Sequence, residues 1–175
     1  MRIARPLAWR TLAMASITGA ALVLSTVITM PTRLVWNVTE SVPLGLYAVR
    51  PIGELKVADL VVSQPPEPLA AFLADGGYLG RGAPLLKRVA ALPGQTVCRV
   101  GPVVTVDGET WAVARDRDRH GRPMPVWSGC LTLAESEVLL LNWEEPASLD
   151  GRYFGPLPRS SIVGRAVPLW TDEER

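Results

Sequence analysis

The chain has 175 residues, a formal net charge of +1, 48% hydrophobic residues, 16 prolines and 15 glycines. That length fits one domain plus an appendage, and the Pro and Gly content excludes a bundle of long helices. The near-neutral charge excludes a polyanionic partner. Its two basic stretches, 1–10 and 115–122, are not interleaved with aromatics as a nucleic-acid surface requires.

The first predicted element is apolar. No charged residue occurs from Thr11 to Met30, and 17–30 is mostly Ala, Val, Leu, Ile and small hydroxyl residues. Twenty helical residues span roughly 30 Å, about the thickness of a bilayer's hydrocarbon core. Arg2, Arg5 and Arg10 precede the run and only Arg33 follows closely. The positive-inside rule then leaves 1–10 in the cytoplasm, 11–31 as an anchor in the inner membrane and 32–175 as an exported, periplasmic domain. A cleaved signal peptide is the alternative. Its apolar region is normally shorter, and no clear Ala-x-Ala site follows the run before Arg33.

Beyond the anchor, the segments 55–63, 85–92, 96–106, 109–114, 138–141 and 162–169 are short, rich in Val and Leu, and bounded by turn formers. They read as strands of an antiparallel sheet. Asp107-Gly108 is a two-residue hairpin signal. Only 68–74, followed by Gly76-Gly77, reads as a short helix, and 115–122 reads as a solvated loop. The expected fold class is mainly β, tethered by one N-terminal helix. Cys98 and Cys130 are the only cysteines. In an oxidising compartment they form one disulfide; otherwise they are two small core residues.

Chemistry-bearing residues are few. His120 is the sole histidine and sits in the charged loop, which suits a surface role rather than a Ser-His-Asp triad. One histidine and two distant cysteines do not make a zinc site, and no metal or other cofactor is expected. Lysine remains as a base for a serine. There are sixteen arginines but only two lysines, Lys56 and Lys87. Lys56 lies near Glu54 and Asp59 and suits the surface. Alternation puts Lys87 on the apolar face shared with Leu85 and Val89. Burial there lowers the pKa of an ammonium, so Lys87 is an eligible general base. A snorkelling lysine at a strand edge is the alternative.

Three blocks then occur in order: Thr39-Glu40-Ser41-Val42-Pro43-Leu44-Gly45-Leu46-Tyr47, Leu86-Lys87-Arg88-Val89-Ala90-Ala91-Leu92-Pro93-Gly94, and Ser148-Leu149-Asp150-Gly151-Arg152-Tyr153-Phe154-Gly155-Pro156. Together they resemble the signal peptidase I superfamily, and the first is similar to the conjugative-transfer peptidases of the TraF type. The resemblance spans about 37–170 and implies a signal-peptidase-like β domain with a Ser/Lys dyad. Ser41 stands at the nucleophile position and Lys87 at the base position. Thr39 stands where the family often carries a second oxyanion donor, beside the Ser41 N–H. Ser148 and Asp150 match supporting positions, with Arg152 as partner of Asp150. Two departures stand out: Asn142-Trp143-Glu144-Glu145 replaces the usual Gly-Asp-Asn-Arg, and Gly151 replaces a common serine.

The implied function is processing of an exported, pilin-like precursor in conjugative transfer, by hydrolysis or by cyclisation. A general signal peptidase is the nearest alternative, and a catalytically inert component of a conjugation or secretion apparatus is one of another class. A self-cleaving repressor-like protease fits poorly, because a DNA-binding half is missing.

Overall fold

The computed structural model describes residues 6–27 and 33–172, with side chains of the first helix described over 9–20 only. Two compact units divide at Pro31 and Thr32. The first holds the helix α1 (Pro6–Val27). Its Ser16 and Thr18 hydroxyls donate to the carbonyls of Leu12 and Met14, at 2.9 Å each. Trp9, Leu12, Met14 and Ile17 are exposed. Among the described residues no helix is long and apolar enough to cross a membrane. The expected anchor extends past them, since side chains from 21 onward and residues 28–31 lie outside the described set.

The second unit is mainly β. Its elements in order are β1 (Leu34–Asn37), β2 (Gly45–Arg50), β3 (Leu60–Ser63), α2 (Glu67–Asp75), β4 (Leu85–Ala91), β5 (Thr96–Val100), β6 (Val103–Val106), β7 (Glu109–Val113), β8 (Gly129–Thr132), β9 (Glu137–Leu141), α3 (Gly151–Phe154), β10 (Leu157–Pro158) and β11 (Ile162–Thr171). They form a seven-stranded sheet ordered β1-β2-β11-β3-β4-β9-β10 and a four-stranded sheet ordered β7-β6-β5-β8. Every pairing is antiparallel.

The predicted hairpin turn joins β6 to β7, with Asp107 at φ 49° as such a turn demands. The expected strand 96–106 is two strands, broken by a turn at Gly101-Pro102. Only the second half of 55–63 is extended; 52–58 is loop, and Ala58 has φ 73°. Cys98 and Cys130 face each other across the β5–β8 pair and are disulfide-bonded. The 115–122 loop is mostly exposed, as expected, with Asp118 and Arg122 partly buried. Asp118 accepts from Tyr78 Oη at 2.7 Å and Arg122 Nε at 2.6 Å, and Arg122 stacks over the Tyr78 ring and donates to Gly76 O. These bonds outweigh the raising effect of burial and hold the Asp118 carboxyl below the usual carboxylate range.

β4 runs through the middle of the larger sheet, between β3 and β9. Six of its seven residues are buried, only Arg88 being partly exposed. One core lies against Ala90, Ala91, Leu139 and Leu141 with the small sheet; another gathers Val61, Val89, Val138 and Leu140. A strand with two covered faces has no solvated side to which a charged residue can turn. Lys87 stands in that strand.

Candidate active site

Lys87 pairs with Val61 of β3 and is 4% exposed. Its Nζ donates to Ser148 Oγ at 2.9 Å. Burial pushes the lysine down from 10.5 to about 8; the charge of nearby Asp150 opposes this, and that of Arg152 reinforces it. Lys56, by contrast, is exposed, as is His120.

The strand around Lys87 is held by Asn142, which the sequence marks as a departure from the family pattern but gives no role. At the end of β9 the backbone turns away from β4, and the Asn142 side chain continues the ladder in its place. Its Oδ1 accepts from Arg88 N at 3.1 Å and its Nδ2 donates to Leu86 O at 3.1 Å, bracketing Lys87. Asn142 N in turn donates to Asp150 Oδ2 at 2.9 Å. Asp150 and Arg152 are both about 1% exposed, and Arg152 Nε donates to Asp150 Oδ1 at 2.8 Å, with Nη2 at 3.1 Å from Oδ2. The guanidinium also reaches the carbonyls of Asn142, Glu145 and Pro146. Two buried charges of opposite sign therefore neutralise each other, with their remaining hydrogen-bonding capacity filled. The 142–150 loop, which ends in Ser148 and Asp150, is thereby fixed beneath the lysine.

The same geometry accounts for the two departures. Asn142 supplies a side-chain clamp through its amide. At Gly151 an added Cβ would lie 2.7 Å from Leu140 O and 2.8 Å from Leu139 Cδ1, so no serine fits without a shift of backbone.

Ser41 lies in the half-buried loop between β1 and β2. Its Oγ is 3.3 Å from Thr39 Oγ1. Among the described residues no hydrogen bond joins Ser41 to Lys87. Their neighbours do meet: Val42 and Leu86 share one core cluster with Tyr47, Val62 and Ala166. The Tyr47 hydroxyl donates to Pro43 O at 2.7 Å. Gly45 packs so closely on Trp170 O that any side chain would collide with that carbonyl. A second residue whose role the sequence did not disclose, the buried Asn37, closes the loop from the other side. A polar residue ending the apolar strand Leu34-Val35-Trp36 was the available signal; for Asn142 it was an amide directly after the run Val138–Leu141.

Beside the loop a cavity of about 510 Å³ opens between Val38 and Thr39 on one side and Ala74–Arg81 on the other, with Tyr78 and Leu79 on its wall. Thr39, whose hydroxyl meets Ser41, lines that cavity, whereas Ser41 and Lys87 are not on its wall.

The family model described as signal peptidase, peptidase S26, matches residues 7–170. The chain belongs to that family. Among its relatives, the plasmid transfer protein TraF of Escherichia coli is 35% identical over 145 residues, covering 77% of this chain and 82% of that protein. The probable conjugal transfer protein TraF of Sinorhizobium fredii is 40% identical over 146 residues, covering 77% and 76%. A crystal structure of a signal peptidase I from Enterococcus faecalis overlaps 65% of this chain and 97% of that one, at 20% identity and a TM-score of 0.39. The S26 assignment makes this chain one of a peptidase family, and a protein substrate follows from that chemistry. The fold beneath it is mainly β with few helices, as expected.

Proposed function

We propose that this S26 protein is a membrane-anchored serine endopeptidase that processes an exported, pilin-like precursor during conjugative transfer, with Ser41 as nucleophile and Lys87 as general base. The observation that carries the reading is the lysine. A side chain with no solvated face, anchored by Ser148 and titrating near 8, is neutral in a useful fraction of molecules at neutral pH.

The steps follow from that state. Neutral Lys87 takes the Ser41 proton as Oγ attacks the scissile carbonyl. The Ser41 N–H meets the developing oxyanion; such a donor is worth roughly 3–4 kcal/mol. Lys87, now protonated, hands its proton to the departing amine, and the acyl-enzyme is then released by water or, for ring closure, by an amine of the substrate. Ser148 orients Nζ throughout. Asp150 and Arg152 hold the loop that carries Ser148.

Three features support the membrane setting. The stretch Thr11–Met30 is uncharged. The hydroxyls of Ser16 and Thr18 are satisfied within α1. In the catalytic unit, Trp36 of β1 and Trp170 of β11 stack at 5.7 Å, and Leu34, Val38 and Leu169 are exposed as well. Exposed aromatics and aliphatics of this kind suit a bilayer interface. The conjugative role is supported by the relatives' names, plasmid transfer and conjugal transfer protein.

The test is precursor cleavage by purified full-length protein in membranes. Ser41→Ala and Lys87→Ala each abolish it. If both variants still cleave, the dyad is wrong. If wild type cleaves many unrelated preproteins as well as a pilin precursor, it is a general signal peptidase. If wild type cleaves none, it is an inert component of the apparatus.

A further inference from the structure

Asn37 ends β1 with its side chain 6% exposed, yet its amide meets five groups of the loop that follows. Nδ2 donates toward the carbonyls of Thr39 at 2.8 Å, Val42 at 2.9 Å and Pro43 at 3.0 Å. Oδ1 accepts from Thr39 N at 3.2 Å and from the Thr39 hydroxyl at 2.9 Å. The orientation of the amide is not arbitrary, since an oxygen facing three carbonyls would have no hydrogen to offer them.

The direction of the next bond follows from this. A threonine hydroxyl has one hydrogen, and an amide oxygen only accepts. Thr39 therefore spends its hydrogen on Asn37 and turns lone pairs toward Ser41. Across the 3.3 Å separation the donor is Ser41. We propose that Asn37 is a positioning residue for the nucleophile: it shapes the 39–43 loop and, through Thr39, sets where the Ser41 hydroxyl points before Lys87 takes its proton. Thr39 is then an acceptor that holds Ser41 at rest. The Ser41 N–H is left as the loop's own oxyanion donor.

This inference rests on the Ser/Lys reading, and the experiment separates the two. Full-length protein in detergent is treated with a serine-directed fluorophosphonate. Labelling is followed for both its rate and its final amplitude, and the labelled peptide is mapped by mass. In Asn37→Ala the rate falls by about 10- to 100-fold, the scale expected when a nucleophile is slightly misplaced. The amplitude stays full, and the pH dependence of the rate keeps the wild-type midpoint because Lys87 is untouched. Thr39→Val slows labelling likewise, and Thr39→Ser recovers most of the loss by returning the hydroxyl. The double variant Asn37→Ala/Thr39→Val is no more than a few-fold slower than the worse single variant, because both act through one chain of hydrogen bonds.

A merely structural Asn37 gives a reduced amplitude with an unchanged rate in the surviving fraction, and that overturns the proposal. So do fully additive effects. Should Asn37→Ala fail to fold, Thr39→Val decides alone, since it leaves the three carbonyl bonds intact; an unchanged rate there overturns the proposal too. If wild type is not labelled at Ser41 at all, the Ser/Lys reading fails instead.

Discussion

Replacing Lys87 by Met keeps an unbranched side chain and removes the charge. The lysine is driven from 10.5 to about 8, chiefly by burial. At about 1.4 kcal/mol per pKa unit, the buried ammonium destabilises the fold by roughly 3 kcal/mol relative to its neutral form. Below pH 8 the lysine is protonated whether the chain is folded or not, and that penalty is present in full. Between pH 8 and 10.5 the folded state releases a proton that the unfolded state keeps, so stability rises with pH. Above 10.5 both states are neutral and the penalty is gone. Lys87→Met also leaves the Ser148 hydroxyl without its donor, at about 1–3 kcal/mol, but that loss does not change with pH. The measurement is urea unfolding of the full chain in detergent, followed by tryptophan fluorescence from pH 7 to 11. Wild type should gain on Lys87→Met by roughly 3 kcal/mol across the window, all other titrating groups cancelling in the difference. Two parallel curves would refute the claim that this lysine is buried and desolvated.

Four further outcomes follow from the same contacts. The kcat/KM of wild type should climb about tenfold per pH unit below 8 and level off above it, whereas Lys87→Arg is inactive throughout because arginine keeps its proton. Asn142→Ala removes both hydrogen bonds that bracket Lys87 and should cost about 2–4 kcal/mol in urea unfolding, with slower acylation of Ser41. Gly151→Ser forces a Cβ against Leu140 O and should destabilise by about 1–3 kcal/mol, lowering the melting temperature. Reducing the Cys98–Cys130 bond, which closes a separation of 32 residues, should cost roughly 3–4 kcal/mol, read as a drop in melting temperature on adding a thiol.

What the sequence disclosed is uneven for physical reasons. The strands β4, β7 and β9 and the helix α2 were placed to within a residue or two, because Val and Leu runs between turn formers are local signals. Alternation put Lys87 on an apolar face and left a snorkelling lysine open, whereas β4 is covered on both faces and only Arg88 is partly exposed. Strands β1, β2 and β8 were not read as strands. They are short or mixed in polarity, and β8 is mostly exposed, its Leu131 alone being partly buried. The roles of Asn37 and Asn142 were missed for a different reason. Each acts through a side-chain amide on backbone groups brought near by a turn or by a neighbouring strand, and composition does not record such partners. Arg99 belongs with them: it is buried on β5 yet donates to Arg152 O at 2.6 Å, joining the small sheet to α3.

The last strand among the described residues is not at the edge of its sheet. β11 lies between β2 and β3, pairing Arg165 with Arg50 on one side and with Val61 on the other. Until it arrives, β1-β2 with the Ser41 loop is a separate ribbon from β3-β4 with Lys87, and no ladder holds them together. A chain synthesised from its N-terminus therefore joins the two ribbons into one sheet only when 162–171 is available. These long-range pairings also slow folding. Strand order thus keeps the Ser41 loop and the Lys87 strand in separate ribbons until 162–171 pairs between them.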